Sequence, residues 1–579
     1  MRVSTAFAVI CILAACGPAH HGGDDDSMAV LSIDPPMSDL TITNSVPATE
    51  DFTATLTYPD GTTKDVTADS AFTFNSLAGD FNNTRTLTVR GSGKFTVTGV
   101  YTDKQGSAQV IVHSTGIRVD PTLPPNTTDL FNGAEVPGRA PNVVYPPADV
   151  VMPRNLGDFE THWTDANGND IFEISLHTDL SDVRVYVPGG NGNAAAGPEA
   201  SWSAFLADEW LAAVGNNATV TYQVRGVQST NPGAGVGTSG PRLVKLTNEE
   251  MNGGIYYWAS AGTTSPEGIW RHDMAKPGQP AEQFMTKAQT SNRCIACHVL
   301  SRDGKNMLVT WDGGNGNGNT IDVGTKAFGV EANPWNFSSF TPDGTAFLAV
   351  YGGTLQVRDF ATQAVLATMP PSGTDKVTHP DVSPDGTQLT YVRVPTASYG
   401  ADWHFGNGQI WIRPYDQATQ TFGAEKMLVS DASNNYYPSF SPDGKWILFN
   451  KSDDNVVGTG AYNNPSASVW VIAADGSAPA VKLATLDTAI GFTNSWARWA
   501  PFAQTVGTED IYWITVSSQR DFGVRLVGLR QPQIWMTAFV PSLATAAMDP
   551  SEPTFRLPFQ NIDSNNHIAQ WTEQIVVTQ

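Results

Sequence analysis

One short string governs what this chain can become. The tetrad Ser/Thr-x-Asp-Gly recurs at Ser301–Gly304, Thr341–Gly344, Ser383–Gly386 and Ser441–Gly444, at spacings of 40, 42 and 58 residues. A β-rich run follows each one: NMLVTW, AFLAVY, QLTYVRV and WILFN. A further run comes later in three of them: TLQVRDF (354–360), QIWIRPYD (409–416) and SVWVIAADG (468–476). In three of the tetrads Pro holds the second position, and Gly closes all four, which suits a tight turn between two strands. A repeat of about 40 residues with several strands per unit is the signature of a β-propeller. One sheet cannot bury both of its faces, so the units must stack into a ring. WARWAP (496–501), DIYWITV (510–516) and QIWMTAF (533–539) read as a fifth, degenerate unit. The tail HIAQWTEQIVV (567–577) reads as the opening of a sixth, which strands around 255–285 would complete. Charged residues are only 15% of the chain, while Gly 53 and Pro 38 supply abundant turns, so an all-β chain is expected.

The N-terminus reads as an address. Residues 3–15 form an apolar run after Arg2, too short to span a bilayer and typical of a secretory signal. The run ends in Leu13-Ala14-Ala15-Cys16, which resembles a bacterial lipobox. That resemblance implies removal of residues 1–15 and a lipid on Cys16. Gly17 at the next position, in place of Asp, implies sorting to the outer membrane. Residues 16–28 then form a polar tether, and its His20, His21 and Asp24–Asp26 are expected to be solvated rather than to bind a metal.

Residues 29–114 alternate in the manner of a β-sandwich. The order TATLTYPDGTTKDVT…GKFTVTGVYTDKQGSAQVIV resembles the bacterial Ig-like group 2 domain, which implies a spacer or adhesive module. Residues 115–157 are proline-rich and read as a linker. Strand patterns resume over 158–285 in a run that resembles a fibronectin-like sandwich, whose end adjoins the propeller. Within it, Trp202 and Trp210 are expected to serve packing rather than sugar binding, and DANGND (165–170) a turn rather than a calcium loop. The strings SFTPDG, HPDVSPDG and YPSFSPDG resemble the WD-like repeats of TolB-type propellers over 286–579. That likeness speaks for the fold and not for an activity.

The chemistry concentrates at Cys294-Ile295-Ala296-Cys297-His298. C-x-x-C-H is the attachment pattern of haem c. Two thiols so spaced can add to the two vinyl groups of one porphyrin, and the adjacent imidazole can then ligate the iron as proximal ligand. The rivals are a disulfide between the two cysteines and a zinc site. The disulfide does not account for His298, and zinc lacks a second ligand pair. The junction CHVLSRDGKNMLVTW (297–311) resembles exported bacterial proteins that join such a motif to a TolB-like propeller. The resemblance implies a haem at the edge of the sandwich–propeller junction. The sixth iron ligand is open among Met307, His379 and His404, with Met285, His272 and His567 behind them.

The balance of 33 basic against 56 acidic residues, net −23, speaks against a nucleic-acid partner. No G-x-S-x-G or H-E-x-x-H string supports a hydrolase. The leading expectation is an electron-transfer or redox-sensing lipoprotein. It would touch the membrane through its lipid alone, and its propeller would recognise a redox or envelope protein. The alternative is a non-enzymatic envelope binding protein in which the C-x-x-C merely staples a loop. A third possibility is a haem enzyme of peroxide chemistry.

Overall fold

The computed structural model describes residues 28–577 apart from 82–84, 190–199, 261–265, 277, 296, 313–316, 332–333, 371–372 and 489–490, with no side-chain account of 200–205. Cys16 and its tether therefore lie outside the described residues. The chain is all-β. Among the described residues, six sheets form the ring. The innermost strands are Cys297–Leu300, Phe337–Phe340, Lys376–Val382, Asn434–Phe440, Ser495–Val506 and Asn565–Thr572, here assigned to blades 1 to 6. Each touches the next, and the last touches the first. No helix among the described residues is long and apolar enough to cross a membrane.

The sixth blade closes the ring. Its inner strand, Asn565–Thr572, pairs antiparallel with Gly254–Ser260, and Gly268–Asp273 and Glu282–Thr286 complete the sheet. Two segments roughly 300 residues apart in sequence thus share one blade. Four inter-strand turns keep the tetrad geometry. Gly304, Gly344, Gly386 and Gly444 all sit near φ +70°, where a side chain is strained. In each, the Asp carboxylate accepts the Ser or Thr hydroxyl and the backbone N–H two residues on. Asp thus caps its own turn, as the sequence implies.

Three domain boundaries move. The strand Lys104–Val119 runs through the boundary drawn at 114, pairing with Gly93–Tyr101 in the first sandwich and Ser181–Pro188 in the second. One ten-stranded sheet therefore serves both sandwiches. The supposed linker contributes Asn142–Tyr145 and Val150–Met152 to the second sandwich. Proline does not prevent this, because both strands lie at the ends of their sheets, where a missing N–H is tolerated. The second sandwich also ends before Gly254, since the next three strands belong to blade 6. Trp210 stacks on Phe159 at 4.2 Å in the core. Asp165 accepts the backbone N–H groups of Asn167 and Asn169, so that segment is a turn.

The second sandwich is welded to blade 5. Tyr145 packs edge-on to Phe522 at 4.8 Å. Glu160 joins His162 of its own strand at 2.7 Å and, across the interface, accepts from Arg525 at 2.9 Å. Buried charge is tolerable when it is paired in this way.

Trp571, on the closing strand, packs edge-on to Phe502 and donates its indole N–H to Thr515 Oγ1 at 3.1 Å. Trp571→Ala should lower the unfolding free energy by about 3–5 kcal/mol in urea titrations. Blade 6 also buries two neutral histidines. Burial pulls His272 down to about 4 and His567 to about 3. On acidification the unfolded chain takes up these protons first, below about pH 6.5, so stability is lost as pH falls from there. These two groups should make the protein about 3–4 kcal/mol less stable at pH 5 than at pH 7, read from urea midpoints.

Candidate functional site at the propeller mouth

Counting four residues back from each tetrad gives equivalent positions: Cys297, Phe337, His379 and Tyr437. Trp496 and Ile568 fill the same place in blades 5 and 6. All six line the narrow central channel. His379, Tyr437, Trp496 and Ile568 have φ of 47°, 51°, 53° and 54°, and each sits at a bulge in its inner strand. A left-handed conformation costs a residue other than glycine about 1–3 kcal/mol. The chain accepts that cost in four successive blades, and the bulges turn these side chains inward. Phe337 meets His379 at 4.0 Å, His379 meets Tyr437 at 4.4 Å, and Tyr437 stacks on Trp496 at 4.4 Å. The result is an aromatic iris across the channel.

Above the iris opens a cavity of about 290 Å³, close to the lower end of the usual range for small-molecule pockets. Trp258, Trp403, Tyr462 and Trp496 form its apolar wall, and Cys297 and His404 border it. Asp402 fixes the hairpin that carries Trp403 and His404. Its buried carboxylate accepts from Asn336 Nδ2 at 2.6 Å and from the Gly352 and Gly353 N–H groups at 3.0 and 2.8 Å. Tyr462 comes from the insertion in blade 4, and its hydroxyl lies 2.7 Å from His567 Nδ1.

Neither cysteine is in a disulfide, and both are half-buried thiols. Cys297 opens the inner strand of blade 1, and Cys294 lies in the loop that leads into it. Arg293 steadies that loop by pairing with Asp312 and Glu331 while lying over the Trp311 ring at 4.4 Å. Cys297 faces the void yet lies deep in the ring. Burial pushes its thiol up to about 12, with the Cys294 thiol adding to the effect. His298 is 1% exposed. Strand alternation sets its side chain opposite that of Cys297. Val299, on the Cys297 side, packs toward blade 2, whereas Leu300, on the His298 side, packs toward blade 6.

The structure thus brings together Cys297, His298 and His379 around the channel, with His404 at the mouth. Met307 and Met285 are instead buried in the apolar core between blades 6 and 1. His272 is stacked on Phe559 at 4.0 Å. The motif lies at the channel mouth and not at the sandwich–propeller junction, because the sandwich packs on blade 5 while the motif begins blade 1. The aromatic wall went unnoticed in the sequence, although alignment on the tetrads exposes the Phe337, Tyr437 and Trp496 positions. Among the described residues, no group of three His, Cys, Asp or Glu side chains is placed to hold a bare metal ion.

No protein-family model matches this chain, and no curated protein is significantly similar. Solved structures with a related fold include a putative TolB from Agrobacterium tumefaciens at 15% identity, covering 56% of this chain and 99% of its own, with a TM-score of 0.31. TolB from Acinetobacter baumannii gives 13% identity, 61% and 79% coverage, and a TM-score of 0.35. Kuenenia stuttgartiensis hydrazine synthase gives 13% identity, 52% and 74% coverage, and a TM-score of 0.28. The sheets themselves define the class: a six-bladed β-propeller with paired thiols at an aromatic mouth.

A thiol must ionise to be alkylated. In protein made without haem, Cys297 should therefore react slowly with iodoacetamide at pH 8 and accelerate only as pH approaches about 12. Rapid labelling at pH 8, mapped by peptide mass spectrometry, would contradict the burial described here.

Proposed function

We propose that this chain is a haem c protein of the cell envelope that carries electrons or senses redox state, tethered through a lipid on Cys16. The observation that carries this reading is the placement of the C-x-x-C-H thiols. Cys297 borders an aromatic-walled cavity inside an otherwise closed ring, and Cys294 lies in the loop just before it. The donor set fits the group: two reduced thiols for thioether links, apolar walls for a porphyrin face, and imidazoles in the adjoining channel. Each thiol adds across a vinyl group, its sulfur to one carbon and its hydrogen to the other, so nothing leaves. Cys294 and Cys297 would hold the haem, with His298 as the axial ligand that the motif supplies. The bound group would contribute one-electron chemistry. The protein's own contribution is exclusion of water by Trp258, Trp403, Tyr462 and Trp496, since burial and a low local dielectric are among the levers that set a haem potential. The open side of the mouth, with its exposed His404, is where a redox partner would approach.

Production with cytochrome c maturation machinery should yield a protein that stains for haem on a denaturing gel and gives a pyridine haemochrome spectrum. Replacing both cysteines by serine should abolish the covalent stain. A wild type without haem would defeat the proposal. Mass spectrometry should separately find the lipid on Cys16, and Cys16→Ser should release soluble or unprocessed chain.

A further inference from the structure

A histidine outside the motif shares the channel with Cys297 and His298. His379 occupies the Cys297 position of blade 3, is 4% exposed and lines the narrow channel directly below the mouth. Among the described residues, neither of its ring nitrogens finds a hydrogen-bond partner. A buried polar atom left so costs about 1–3 kcal/mol. His379 also bears a left-handed backbone, φ 47°. Phe337, Phe405, Tyr436 and Tyr437 surround the ring and offer it only aromatic contacts. Burial, with the Arg498 charge adding to it, holds the imidazole neutral, which leaves a lone pair free to bind a metal.

The other candidates are placed less well. Met307 and Met285 lie between blades, His272 is stacked on Phe559, His567 is engaged by Tyr462, and His404 is exposed. His298 also lines that channel and is the ligand the motif itself would supply. The position left to assign is the second axial one, and His379 reaches the same channel from blade 3.

Resting on the haem reading above, we propose that His379 is an axial iron ligand of the group held by Cys294 and Cys297, reaching it from blade 3 across the channel. The coordination would use a nitrogen that the ring otherwise leaves unsatisfied.

The test uses full-length protein matured with haem. The wild type should be low-spin in both oxidation states and resist carbon monoxide. His379→Ala should keep its covalent haem on a denaturing gel, because the thioethers are untouched. Its ferric spectrum should turn high-spin, its ferrous form should bind carbon monoxide, and added imidazole should reverse both changes. His379→Met, which keeps the site filled with an apolar side chain, should fold even if the alanine variant does not and should raise the reduction potential. A haem-loaded His379→Ala or His379→Met protein with wild-type spectrum and potential would overturn the assignment and leave the haem reading standing. So would a wild type that is already high-spin and binds carbon monoxide. A wild type without haem would overturn both.

Discussion

Everything in the propeller depends on one antiparallel pairing, that of Asn565–Thr572 with Gly254–Ser260. The other five blades are each continuous in sequence and could form locally. Only this one joins distant segments, and it turns a row of sheets into a ring. A blade buries its faces solely against its neighbours, so an open row would leave two apolar faces and two strand edges in water. The iris depends on the same closure. Ile568 completes it from the closing strand, and Trp258, from the strand paired with it, forms part of the mouth.

The weld between the second sandwich and blade 5 adds a second constraint. Apolar residues of the sandwich and of blades 4 to 6 form one continuous core, and the Glu160–His162–Arg525 cluster lies at its border. The sandwiches are therefore not beads on a string. They share a sheet through Lys104–Val119, and one of them is fixed to the ring.

The ring was legible because its signal is local: a turn that requires Asp and Gly at fixed places, repeated at blade length. Closure by residues 567–577 was legible because a lone strand pattern at the end of such an array has few partners available. The sandwich boundaries were not legible. A strand that serves two domains has the same alternation as one that serves a single domain, and prolines at a sheet edge look like prolines in a linker. At the site, the C-x-x-C-H string announced the thiols. It did not show that a β-strand would part Cys297 from His298, since the string carries no backbone conformation. The significance of His379 was likewise hidden in THPDVSPDG, where the residue looks like one packing group among several. Only its burial, its unmet nitrogens and its place on the channel distinguish it.

Closure by the last strand also sets an order of events in biogenesis. The chain emerges N-terminus first, so Cys294 and Cys297 are delivered long before Asn565 arrives to seal the ring that buries them. Until then the segment around the motif is an open peptide, accessible to any enzyme that must handle both thiols and a bulky cofactor at once. Once the tail docks, Cys297 lines a narrow channel inside the ring. The late arrival of the closing strand would thus act as a timer, giving the haem attachment proposed above a window that the finished ring no longer provides.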